Sequence, residues 1–273
     1  MDSMAIYRRM DIGTAKPSLE DRRRIPHHLV DVLEPWEEFS LAQYLQAASD
    51  AVEQIRLRHR PVLFVGGTPL YLKALLRGVD SGPPPDRELR ARLEREAAEQ
   101  GNEALHRRLA AVDAAAAARI HPHDLRRVVR ALEVFEKTGV PISARQVHFA
   151  GPANESARVI WLDLPRDELY RRINERVVAM FDHGLIDEVR CLRNLERPLS
   201  RTASQALGYK EAIEHVEGRR PLPETIELVQ RHSRQFAKRQ LTWFRSLPEC
   251  RRVPAELAAE PDKLLAVLTG RNQ

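Results

Sequence analysis

HLVDVL (28–33), PVLFVGG (61–67) and ARVIWLDL (157–164) are short runs that stay apolar from end to end. A strand that alternates apolar and polar residues has one wet face. A run that is apolar throughout has none, and needs cover on both sides. Helical patterns separate the runs: LAQYLQAASDAVEQIRLRH (41–59) between the first two, TPLYLKALLRG (68–78) after the second. Strand, helix, strand, helix is the order of an α/β fold with a parallel sheet covered by helices.

The pattern then breaks. GVDSGPPPD (78–86) is rich in Gly, Pro and Asp, and a charged helical stretch runs from about Arg87 to Lys137. GVP (139–141) and GPANES (151–156) are further breaks, and the apolar run at 157 resumes the α/β pattern. This order predicts a core in two parts, 1–77 and 156–273, with a helical insertion at 78–155. From Asp167 onward the second part is mainly helical. The 43% hydrophobic content supplies a sizeable core, filled by Leu, Val, Ile and Ala because aromatics are only 5%. No apolar run approaches the length of a membrane span, and no signal peptide is read at the start. Cys191 and Cys250 stand alone, without CxxC or zinc-ligand spacing, so a reducing compartment, the cytoplasm, is expected.

Net charge is +5, carried mostly by Arg. Guanidinium groups grip phosphate through a planar fork, so polyanionic partners come first to mind, nucleic acid above all. Four places bear on this. In LFVGGTPLYLK (63–73), Thr68 and Pro69 open a helix after Gly66-Gly67; Thr68 is either a plain N-cap or a residue facing the crevice of an open sheet. In RRVVRALEVF (126–135), Leu125, Val128, Val129, Leu132 and Phe135 share an apolar face. Arg126, Arg127 and Arg130 leave on the other side, as a solvated face or a phosphate grip. In ELYRRINERVVAM (168–180), Asp167–Arg171 and Glu168–Arg172 read as helix ion pairs, whereas Arg176 has a weaker local partner and suits a substrate anion. In RHSRQFAKRQLTWFR (231–245), Arg231, Arg234, Lys238 and Arg245 make one stripe without an acidic residue in the segment, while Val229, Phe236 and Trp243 cluster elsewhere.

Together with the opening DSMAIYRRMDIGTAKP and with RIHPHDLRRVVRALEVF, RINERVVAMFDHGLIDEV and QALGYKE, these stretches resemble the tRNA dimethylallyltransferase (tRNA isopentenyltransferase) family, from Asp2 to about Arg245. The resemblance implies a P-loop-NTPase-like parallel α/β core with a helical insertion. It implies transfer of a dimethylallyl group from its diphosphate to N6 of the adenine at position 37 of tRNA, beside the anticodon. Asp2 matches the carboxylate that takes the amine proton, Arg176 the diphosphate-binding arginine, and Thr68 a residue at the adenine entry. Segments matching tRNA contacts bring in Asp2, Ser3, Met4, Ala5, Arg126, Arg127, Arg130, Gln205, Gly208, Lys210, Lys238, Arg239, Gln240, Trp243 and Arg245. Arg90 is a further tRNA candidate, although Glu94 lies four residues on and offers a helix ion pair. Magnesium is the implied cofactor, with no protein ligands assigned, and a monomer is expected.

The family's glycine-rich phosphate loop, G-x-x-x-x-G-K-[ST], has no match here. The chain is therefore read as the family pattern without its first strand, phosphate loop and first helix, through a misplaced start or a truncated gene. On that reading the 1–273 chain transfers the group at a negligible rate yet still binds tRNA. The competing readings are an inactive tRNA-binding fragment and an isopentenyltransferase acting on free adenine nucleotides.

Overall fold

A computed structural model describes residues 1–78, 82–145 and 158–269. The expected break at 151–156, Ala157, and residues 79–81 of the first break lie outside the described residues. Contacts divide the chain into a core unit, Met1–Leu72 with Asn154–Gln273, and a helical unit, Lys73–Ala153.

In chain order the helices begin with α1 (Leu19–Arg24), α2 (Leu41–Leu57) and α3 (Pro69–Arg77). The helical unit contains α4 (Arg87–Gln100), α5 (Asn102–Val112), α6 (Ala114–Ala117), α7 (Leu125–Thr138) and α8 (Ile142–Arg145). Strand β1 (Val159–Asp163) follows, then α9 (Arg166–Asp182), α10 (Leu185–Arg193), α11 (Arg201–Ser204), α12 (Tyr209–Val216) and α13 (Leu222–Arg245). Strand β2 (Cys250–Pro254), a 3-10 turn at Ala255–Ala259 and α14 (Pro261–Thr269) complete the described chain.

β1 and β2 pair in parallel, Val159 opposite Cys250 through Asp163 opposite Pro254. β1 is the apolar run expected at 157–164. β2 has no such signal, because CRRVP carries two arginines and reads as polar; both of these are exposed, and only Val253 is buried.

The other two apolar runs do not form strands. In HLVDVL, Leu29 and Asp31 take positive φ angles, +59° and +55°, which break the extended backbone. Only Leu33 makes a bridge, parallel to Tyr7. PVLFVGG has no ladder partner among the described residues, and Leu63 and Val65 are 66% and 70% exposed. A strand exists only as a pair, so β propensity alone leaves this segment as irregular chain.

The core unit packs Ile6, Tyr7 and Met10 against Leu185, Val189 and Leu192 of α10, Ala203 of α11, and Ala206, Tyr209 and Ala212 at α12. The opening stretch is thus a core element, anchored by its apolar side chains. The helical unit has its own core of Leu93, Ala97, Leu105, Leu109, Val128, Val129 and Leu132. α7 is bounded by sequence: Asp124 accepts the Arg127 N–H at its start, and Gly139 at φ +69° closes its end.

Candidate functional site

Three stretches distant in sequence, residues 1–5, residues 66–68 and Gln240 of α13, meet here. The Asp2 carboxylate accepts backbone N–H bonds from Met4 (2.7 Å) and Ala5 (3.1 Å), which fold the stretch into a turn. The Ser3 N–H donates to the Thr68 hydroxyl at 3.2 Å, and the Thr68 N–H donates to the Met1 carbonyl at 3.2 Å. Gln240, from α13, donates its amide to the Gly67 carbonyl. This closeness requires glycine at 66, where the neighbour is backbone, and is felt at Gly67, where it is the end of a side chain. A Cβ on Gly66 would lie 2.2 Å from the Met1 carbonyl oxygen, and one on Gly67 2.5 Å from the Gln240 amide nitrogen. Thr68, at the start of α3, therefore turns its hydroxyl to Ser3, beside Asp2. Six of the predicted residues, Asp2, Ser3, Met4, Ala5, Thr68 and Gln240, are brought to one place, and Asp2 remains exposed.

A second set of groups fixes the loop that follows. One Glu188 oxygen accepts the Asp11 and Ile12 N–H groups, each at 2.9 Å, and the other accepts the Tyr209 hydroxyl at 2.6 Å. Burial and the neighbouring Glu188 charge push the Tyr209 phenol up, so it stays a neutral donor. Gly13 lies flat on the Tyr209 ring, where a Cβ would come within 2.4 Å. Lys16, nearly fully buried, donates to the Tyr7 carbonyl and to Asp11 (2.8 Å) and Asp31 (2.6 Å). Burial acts to raise the Asp31 carboxyl, but Lys16 and Arg22 outweigh it and hold it below its ordinary range. Sequence reading misses this bracing. Lys16 and Tyr209 sit in matched motifs, but nothing local ties them to Asp31 or Glu188.

Arg176 lies on α9, exposed, and makes no hydrogen bond or ion pair among the described residues. No bond links it to Asp2 or Thr68. Its neighbours are engaged: Arg172 pairs with Glu168 at 2.6 Å, as expected, while Arg171 pairs with Glu168 and Glu175 rather than with Asp167. These two guanidinium groups hold the Glu168 carboxyl down at about 2.

Along α13, Arg231 and Lys238 are exposed and unpaired among the described residues. The other two stripe members are engaged: Arg234 donates to the Asn174 amide oxygen of α9 at 2.5 Å, and Arg245 lies over the Trp161 ring at 6.0 Å. Arg239 stacks on Phe236 at 5.8 Å. A shallow groove of about 400 Å³ is lined by Gln235, Lys238, Arg239, Thr242 and Trp243. Gln205 and Lys210 are exposed on either side of the buried Gly208. At φ +88° and ψ −43°, Gly208 turns the chain into α12.

In the helical unit, Arg126 and Arg127 are exposed, and Arg127 pairs with Asp124 at 3.3 Å. Arg90 and Arg130 are committed inward. Glu133, fully buried, accepts from Arg90 (2.9 and 2.8 Å), from Arg130 (2.5 Å) and from the Asp86 N–H (2.7 Å). Arg90 pairs with Glu133 across helices, where Glu94 was the expected partner.

Among the described residues no cluster of three or more His, Cys, Asp or Glu side chains is arranged to hold a metal ion. Asp2 is the one carboxylate of the group around Thr68, and its Oδ1 already accepts two N–H bonds. These residues alone do not make a magnesium site, so none of them is assigned to hold the ion.

The chain is similar to known proteins over most of its length. The IPP transferase family model matches residues 5–247. A tRNA dimethylallyltransferase of Rhodopirellula baltica is 47% identical over 253 residues, 92% of this chain and 75% of its own length. The crystal structure of a tRNA isopentenylpyrophosphate transferase from Bacillus halodurans superposes with a TM-score of 0.67 at 36% identity, covering 98% of this chain and 87% of that one. A eukaryotic dimethylallyltransferase acting on tRNA superposes with a TM-score of 0.78 at 25% identity, covering 98% of this chain and 71% of that one. The fold is the P-loop-like α/β fold of these enzymes, and the chain belongs to the IPP transferase family.

Proposed function

We infer that the reaction is transfer of a dimethylallyl group from dimethylallyl diphosphate to N6 of the adenine at position 37 of tRNA. Membership of the family makes the chain a tRNA prenyl transferase; the acceptor atom, the position and the residue roles are our reading. The adenine N6 attacks the allylic carbon, the carbon–oxygen bond to diphosphate breaks, and the N6 proton passes to the Asp2 carboxylate. Diphosphate departs with its charge met by cations, of which Arg176 is the candidate without a protein partner among the described residues. Adenine stacked in an anticodon loop is first swung out of the stack, so a surface is needed to hold the loop. Arg231 and Lys238 on α13, Gln205 and Lys210 at the α12 turn, and Arg126 and Arg127 on α7 are the exposed groups suited to phosphate.

The observation that carries the reading is the Ser3–Thr68 hydrogen bond beside Asp2, closed from α13 by Gln240. It joins the proton acceptor to the helix that bears the free cations. Two free thiols, Cys191 and Cys250, suit a reducing cytoplasm. A monomer, and magnesium arriving with the diphosphate, complete the proposal.

The test is nucleoside analysis by mass spectrometry after incubation of the chain, fused behind a glycine-rich phosphate-loop segment, with dimethylallyl diphosphate and one of three acceptors. A tRNA with adenine at position 37 gains the dimethylallyl mass; the same tRNA with guanine there, and free AMP, do not. Modification of AMP, or of an adenine elsewhere in the tRNA, would contradict the reading.

A further inference from the structure

Glu211 is almost fully buried, yet its two oxygens serve two different elements. One accepts the Gly208 N–H at 2.9 Å, which fixes the turn between Gln205 and Lys210. The other meets Nδ1 of His232, on α13, at 2.6 Å. His232 sits beside the unpaired Arg231. It lies three residues before Gln235 and seven before Arg239, a spacing that puts the three on one helix face. Gln235 and Arg239 line the shallow groove along α13. With Nδ1 committed to Glu211, Nε2 is the remaining donor or acceptor, and it has no partner among the described residues.

We propose that His232 is an RNA phosphate contact, held by Glu211 so that Nε2 is presented beside Arg231, and that one carboxylate thereby sets the Gly208 turn and the α13 surface as a single unit. The proposal rests on the reading of α13 as a tRNA-binding helix. In the imidazolium form both ring nitrogens donate, one to Glu211 and one outward to phosphate; in the neutral form only one does. The charged groups nearest His232 in sequence on its own helix are Arg231 and Arg234, the latter turned to Asn174 of α9. On α12 they are Glu211 itself, Lys210, Glu214, which faces Arg220, and His215, whose ring is bonded to the Arg220 carbonyl.

The experiment is equilibrium binding of an anticodon stem-loop RNA by fluorescence anisotropy, over a series of salt concentrations, for the whole chain. His232→Asn retains a donor for Glu211 but removes the outward nitrogen and the charge. His232→Asn should bind about fivefold more weakly than the wild type, the scale of one partly exposed charge contact, and its log–log salt slope should be smaller by about 0.7–0.9. A variant that keeps the wild-type affinity and slope overturns the proposal. Lys238→Ala is the control: it should also weaken binding. If it has no effect, α13 is not an RNA surface, and both readings fall. If it weakens binding while His232→Asn leaves affinity and salt slope intact, the failure belongs to His232 alone.

Discussion

Asp2 does two jobs with one carboxylate. Oδ1 shapes the turn through the Met4 and Ala5 N–H groups, and the exposed position of the residue leaves the group open to substrate. Asparagine keeps an acceptor oxygen for the turn but takes up no proton. Asp2→Asn should therefore lower the single-turnover transfer rate by orders of magnitude, about 10²–10⁴-fold for loss of a general base, with tRNA affinity little changed. Transfer within about twofold of wild type would remove Asp2 from proton transfer. The adjacent glycines make a sharper pair. A Cβ on Gly66 meets backbone, the Met1 carbonyl, whereas one on Gly67 meets only the end of the Gln240 side chain. Backbone cannot step aside cheaply. Gly66→Ala should cost about 1–3 kcal/mol of stability by thermal or denaturant unfolding, and Gly67→Ala less. Equal losses in the two would show that the approach of residues 1–5 to Gly66 is not what requires glycine.

At the scale of the element, α7 shows how a local pattern and a distant partner combine. Its apolar spacing and its Gly139 stop are legible in the sequence, and Val128, Val129 and Leu132 are buried as that spacing predicts. That Glu133 is buried, and that Arg90 from α4 reaches it, is not legible, since the pair is 43 residues apart. The same limit explains the strands. VIWLD carries its β1 signal in its own composition, while CRRVP becomes β2 only because β1 is there to pair with it. HLVDVL has the apolar content of a strand, but positive φ angles at Leu29 and Asp31 commit those residues to a turn. For the site, Thr68 and Asp2 are legible as motif members, and their link through Ser3 is not. Burial acts to raise the Glu133 carboxyl, but Arg90, the Asp86 N–H and Arg130 reverse this and hold it below its ordinary range. A depressed carboxyl contributes stability that is present above its unfolded value and is lost as pH falls through its folded one. Hydrogen exchange of α7 should therefore stay slow from pH 7 to about 5 after correction for intrinsic rates, and quicken only below the ordinary carboxylate range. Glu133→Gln should cost about 2–3 kcal/mol at pH 7, the scale of lost charged hydrogen bonds, and should weaken that acid dependence. A loss under about 0.5 kcal/mol would mean that the arginines are satisfied elsewhere.

Over the whole molecule, arginine charge is divided between holding the fold and facing outward. Arg22, Arg90, Arg130, Arg171 and Arg172 are paired with carboxylates, and Arg234 with an amide. Arg126, Arg176, Lys210, Arg231 and Lys238 have no partner among the described residues, and all five are exposed. A net charge of +5 says only that cations exceed anions; the pairing shows which cations are left for a polyanion. The central claim is that the unpaired cations of α13 hold tRNA while the group around Asp2 acts on its adenine. The most direct measurement is the salt dependence of tRNA binding for the wild type and for the Arg231→Ala/Lys238→Ala double variant. Removing one cation from a phosphate should lower the log–log slope by about 0.7–0.9, so the double variant should be shallower by about 1.4–1.8 and weaker at low salt. An unchanged slope would return the α13 cations to the solvent and contradict the account.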